Sequence, residues 1–109
     1  SEMDSVFNDK NEQFRIIYFW GSWCRPCLKS IPKLQTIQSK IRIIGINCFK
    51  SNSTANSVLE KYDITWENYV NKNQTTQFNI TLFPTYLLVD KNWKIIASTN
   101  HIEELIMQL

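Results

Sequence analysis

Two cysteines stand two residues apart in YFWGSWCRPC, residues 18–27, directly after an apolar run. A C-x-x-C pair has three chemical uses: half of a zinc site, a small structural crosslink, or a dithiol that passes between thiol and disulfide. Zinc takes four ligands, and only Cys48 and His101, dispersed along the chain, remain to complete a set. Their dispersion argues against zinc, while a structural disulfide stays open as the plain alternative. Redox use follows from position: the spacing lets both sulfurs lie in the first turn of a helix, with Cys24 at its exposed end. Helix N-terminal N–H groups stabilise an anion there, which lowers a thiol below its free value of about 8.5. Arg25 and Lys29 add positive charge, and no carboxylate lies between Trp20 and Ile31. Cys27, one turn further in, is expected to be more buried and less acidic. Cys24 is therefore the expected nucleophile and Cys27 the resolving thiol.

The elements that must hold this pair are legible from periodicity. RIIYFW, residues 15–20, is a β-branched and aromatic run that suits a central strand covered on both faces. From Cys24, apolar residues recur at Cys27, Ile31, Leu34, Ile37 and Ile41, the spacing of one helix face, which predicts a helix from about Cys24 to Ser39. Pro26 falls in its first turn, where a missing N–H costs nothing; Pro32 falls inside, where a kink is expected. IRIIGIN repeats the buried-strand pattern, so a strand–helix–strand unit with two parallel strands follows. Further on, a short helix is expected from near Ser53 or Thr54, then an irregular stretch with one helical turn near Thr75–Phe78. TYLLVD and KIIAS read as an antiparallel hairpin across DKNW, and IEELIMQL as a closing amphipathic helix.

Bulk composition narrows the rest. A length of 109 residues suits one domain with one core. The net charge of +2 comes from scattered residues with no basic stripe, which argues against nucleic acid. No stretch approaches the roughly 20 apolar residues of a membrane span, and residues 1–14 lack the regions of a signal peptide. That segment reads as an N-terminal extension of a single domain over residues 1–109, trimmed from a longer chain.

Several ordered motifs carry a resemblance: FWGSWCRPC after the first strand, IPKL along the helix, IIGIN in the next strand, and LFPTYLLVDKNWKII near the end. The chain resembles the thioredoxin superfamily, and specifically its TlpA/ResA-like branch of thiol-disulfide oxidoreductases, from about Arg15 to the C-terminus. The resemblance implies an α/β fold with a central mixed sheet of about four strands flanked by helices. It implies a cis peptide before Pro84 in a loop facing the dithiol, where the Phe83 backbone pairs with an extended substrate segment. Trp23, Pro26 and Phe83 would form an apolar collar around the sulfurs, and Trp23, Arg25, Pro26, Phe83 and Pro84 the substrate-binding set. The stretch Asn52 to Ile80 fits the extra helix and loop of this branch. Function follows as disulfide exchange with protein thiol or disulfide substrates in a bacterial extracytoplasmic setting. The expected direction is reducing, as in keeping apocytochrome or other exported thiols reduced for cytochrome c maturation. A monomer recharged by an upstream dithiol donor is expected, with no cofactor and no metal.

Two positions depart from the family pattern. Many thioredoxins carry a buried aspartate where this chain has Tyr18, and the TlpA/ResA-like branch often has an acid where it has Ser30. Both are weak bases near neutral pH. Deprotonation of Cys27 is left to water or to an acid elsewhere, such as Glu67. A Cys24 thiolate stabilised in this way favours the dithiol, so the expected reduction potential lies above thioredoxin's value of about −270 mV; equilibration with a glutathione buffer measures it.

Other chemistry-bearing residues have plain readings. Cys48 is expected to be buried as a small hydrophobe, His101 to be a solvated or capping residue, and Trp66 and Tyr69 to plug the core edge rather than extend a groove. Asn52, Asn73 and Asn79 begin N-x-S/T triplets of the kind chance produces in an asparagine-rich chain, and no glycosylation is expected. Two rival functions share the fold: a copper chaperone, which copper titration of the reduced protein would reveal, and a catalytically idle interaction module. A peroxidase lacks its T-x-x-C motif here.

Overall fold

Phe14–Trp20 forms strand β1 at the centre of a five-stranded sheet, and its side chains are buried on both faces apart from half-buried Arg15. The computed structural model describes residues 14–48 and 52–107. Helix α1 spans Arg25–Ile37 and continues through Pro32, β2 spans Arg42–Asn47, and α2 spans Asn52–Lys61. Then come β3 at Glu67–Val70, the single turn α3 at Gln74–Gln77, β4 at Thr85–Asp90, β5 at Ile95–Thr99 and α4 at Ile102–Ile106. The order across the sheet is β3-β2-β1-β4-β5. β1, β2 and β3 run parallel, while β4 is antiparallel to both β1 and β5.

The fold class stands, with one strand more than expected. β3 falls in a stretch read as irregular, because an edge strand needs no buried run: Glu67 and Asn68 are half-buried, and Tyr69 and Val70 exposed. Trp66, just before it, packs on the core as expected; Tyr69 is 52% exposed and does not plug it. Of the segment read as an extension, residues 1–13 lie outside the described residues, and Phe14 opens β1. Gln108 and Leu109 of the expected closing helix also lie outside them.

Alternation along the strands sorts the interior into two clusters. On one face Ile16, Tyr18, Trp20, Ile43, Tyr86 and Leu88 meet the apolar sides of α1, α2 and α4, and this cluster includes both Cys24 and Cys27. On the other, Ile17, Phe19, Ile44, Ile46, Leu87 and Val89 pack with Phe78, Ile80 and Cys48. Register places Tyr18 opposite Gly45 and Tyr86. The Tyr18 ring stacks on Tyr86 at 5.3 Å and on Trp20 at 6.1 Å, contacts worth about 0.5–1.5 kcal/mol each beyond burial. Gly45 leaves space beside them: a β-carbon there would stand 2.0 Å from the Asn68 amide oxygen, which accepts the Trp20 indole N–H at 3.1 Å.

Candidate redox site

β1 delivers the chain to Gly21, where a β-carbon would come within 2.7 Å of the Trp23 indole. Glycine lets that ring fold back over the turn. The Cys24 N–H donates to the Gly21 carbonyl at 3.0 Å, and Cys24 becomes the N-cap of α1 in an extended conformation. Its sulfur accepts the Cys27 N–H at 3.2 Å, taking the place of the usual capping oxygen. Pro26 occupies the first turn. Cys24 and Cys27 are joined as a disulfide with Cα atoms 5.2 Å apart. Cys24 is 4% exposed and belongs to the core cluster, so the end expected to be exposed is buried.

The loop before β4 faces this turn. Phe83–Pro84 is a cis peptide, and the Phe83 ring meets Trp23 edge-on at 5.5 Å. Asn100 fixes the loop from the end of β5, donating to the Pro84 carbonyl and the Thr85 hydroxyl, both at 3.0 Å. Trp23 and Pro26 are exposed, Phe83 is half-buried and Pro84 buried. An apolar rim is therefore presented beside the disulfide, with Arg25 and Lys29 exposed on the same helix start.

Behind Cys27 the missing acids are replaced by hydroxyls turned to a structural task. Tyr18 and Ser30 both donate to the Cys27 carbonyl at 2.7 Å, and their oxygens lie 3.4 Å apart. Burial pushes the Tyr18 phenol well above its ordinary range, so it stays protonated. Glu67 does not reach this place. It pairs in register with Ile44, which belongs to the opposite cluster, so its side chain projects from the opposite face of the sheet. There it accepts from Arg42 at 2.5 Å and Tyr69 at 2.6 Å, and chiefly the Arg42 hydrogen bond holds its carboxyl below the usual range. Of the acceptors left open for the Cys27 proton, Glu67 thus stands on the face away from it.

Cys48 is half-buried rather than buried, at the end of β2, and its N–H donates to the Trp20 carbonyl at 2.9 Å. Desolvation pushes its thiol up to about 11. His101 is the exposed N-cap of α4 and makes no side-chain cap. Among the described residues no three His, Cys, Asp or Glu side chains converge as a metal set, and no helix is long and apolar enough to cross a membrane. Sequence reading missed Asn100 and Tyr86. A single asparagine after a strand carries no signal for its role, and TYLLVD marks Tyr86 only as a strand residue.

A parallel-and-antiparallel sheet with a C-x-x-C disulfide at the start of a helix, facing a cis-proline loop, defines a thioredoxin-type domain. The chain belongs to the thioredoxin-like family, whose model matches residues 11–95. It is 26% identical over 85 residues to the thiol-disulfide oxidoreductase ResA of Bacillus thuringiensis subsp. konkukian, covering 72% of this chain and 49% of that protein. The chain spans about half the length of such curated relatives. Solved structures share the fold. StoA from Bacillus subtilis superposes with a TM-score of 0.73 at 19% identity, covering 84% of this chain and 75% of that one. The thioredoxin domain of a thiol-disulfide oxidoreductase from Bacteroides vulgatus gives 0.77 at 20%, covering 89% and 76%.

Proposed function

We propose that this domain exchanges disulfides with protein partners, in the reducing direction, through Cys24 as nucleophile and Cys27 as resolving thiol. The observation that carries the reading is the placement of Cys24 at the N-cap of α1, its sulfur accepting a helix N–H, beside a cis-proline loop. In the reduced domain the N–H groups of that helix N-terminus favour the Cys24 thiolate. The thiolate attacks one sulfur of a partner disulfide; a mixed disulfide forms and the partner's other sulfur leaves as a thiolate. Cys27, having lost its proton to solvent, then attacks Cys24, and the partner's second sulfur departs. The partner gains two electrons, the domain ends as the Cys24–Cys27 disulfide, and an upstream dithiol donor restores it.

Trp23, Arg25, Pro26, Phe83 and Pro84 bind the partner's extended segment. The similarity to thiol-disulfide oxidoreductases supports the activity, and the family resemblance supports a monomeric, single-domain unit working outside the bacterial cytoplasm. Insulin reduction tests the reading. Cys24→Ser is expected to lose at least about a thousandfold in rate, and Cys27→Ser to retain a partner covalently on Cys24. Equal rates for wild type and Cys24→Ser would overturn it.

A further inference from the structure

Beside the disulfide, the first turns of α1 face the Pro84 loop and the start of α4 across a cavity of about 210 Å³. One water occupies about 30 Å³ in the liquid, so the space is large enough for a side chain. Pro26 and Pro84 form its edge toward the dithiol; Lys29, Lys33, Tyr86 and Glu103 line it together with the polar side chains of Ser30, Asn100 and His101. Tyr86 is fully buried and its hydroxyl makes no hydrogen bond of good geometry: the neighbouring Ser30 hydroxyl, which favours the phenolate, gives its own proton to the Cys27 carbonyl. An unpaired buried donor is costly in a folded protein, and an acceptor entering the cavity would recover that cost. Burial pushes the Tyr86 phenol up to about 12, so at neutral pH it offers a proton to an incoming acceptor. Lys33 is paired with Glu103, which cancels those two charges. Lys29 has no ion-pair partner among the described residues, so the lining carries an uncompensated positive charge.

We propose that this cavity is a subsite for a carboxylate side chain of the substrate, next to the cysteine that Cys24 attacks. Lys29 supplies the charge and Tyr86 the hydrogen bond. The inference rests on the thiol–disulfide reading above and adds a substrate preference to it. Aspartate or glutamate fits both groups; the corresponding amide gives up the charge-assisted part of each contact.

Two disulfide-linked peptides that differ only in Glu against Gln beside the cysteine test it, with kcat/KM measured for reduction of each. Wild type is expected to favour the Glu peptide about tenfold, the size of one charge-assisted hydrogen bond. The ratio within each variant removes any general loss of activity: it is expected to fall toward unity in Lys29→Gln and, separately, in Tyr86→Phe. Tyr86→Phe is the sharper arm, because it changes no surface charge. Reduction of both peptides at equal rates by wild type would overturn the subsite while leaving the activity in place. A preference that survives in Tyr86→Phe would assign it to surface charge and would also overturn the subsite. Failure to reduce either peptide would remove the activity and the subsite together.

Discussion

Cys24 and Cys48 follow the same end of the parallel strands β1 and β2, since Cys48 bonds through its N–H to the carbonyl of Trp20, four positions before Cys24. Their sulfurs nevertheless meet opposite surroundings. Cys24 caps a helix and its sulfur accepts an N–H; Cys48 ends a strand, and its sulfur stands 3.7 Å from the Ile46 carbonyl, which can only accept. The first setting favours a thiolate and the second a thiol. Closeness to the site therefore does not make a cysteine reactive: at Cys48 desolvation outweighs a backbone hydrogen bond from Trp20 that favours the thiolate, whereas Cys24 stands at a helix N-terminus.

The largest effect expected from this contrast is in alkylation of the reduced protein. At pH 7 a thiol at about 11 is ionised in roughly one molecule in ten thousand, whereas one at or below about 8.5 is ionised in at least a few per cent. Iodoacetamide should therefore label Cys24 at least about a hundredfold faster than Cys48, read by mass mapping of timed samples. Equal labelling would break the comparison. Linkage gives the same contrast a pH signature. Native Cys48 keeps its proton above the pH at which the unfolded chain releases it, so its contribution is complete below about 8.5. That contribution is lost as pH climbs toward 11. Cys48→Ala should flatten that part of the urea-stability profile relative to wild type, and because the tyrosines remain in both proteins, the difference isolates the thiol.

A second contrast concerns the stacked pair Tyr18 and Tyr86, both buried and both protonated. Tyr18 donates to the Cys27 carbonyl and Tyr86 donates to nothing. Tyr18→Phe should cost about 1 kcal/mol in urea unfolding of the oxidised protein, while Tyr86→Phe should cost nothing or stabilise slightly. Equal losses would show that the two hydroxyls are equivalent.

The same pair marks the boundary of what the sequence discloses. β1, α1, β4 and the redox turn were legible because their apolar periodicity is strong and local. The hydroxyl work behind Cys27 was not, because Tyr18, Ser30 and the Cys27 carbonyl meet only when α1 packs on β1. The cavity beside the dithiol was hidden for a related reason. It depends on α4 returning to α1, where Glu103 pairs with Lys33 across 70 positions of chain.

Glu67 gives the smallest expected effect and the most direct test of the two-faced sheet. From sequence it was a candidate base; once β3 pairs with β2, the Ile44 register fixes its side chain on the face away from Cys27. Face is decided by a period of two, so reading this four-residue strand as irregular left Glu67 with no face at all. Glu67→Gln should leave the rate at which Cys27 resolves a mixed disulfide unchanged across pH, measured by acid-quenched turnover. It should weaken the pair with Arg42, whose side chain is 36% exposed against 30% for Glu67. An ion pair so open to solvent contributes at most about 1 kcal/mol, and less in high salt. A slowed resolving step with its pH midpoint moved would return Glu67 to the proton's route, and would require the sheet to transmit charge between faces that share no polar contact with Cys27 among the described residues.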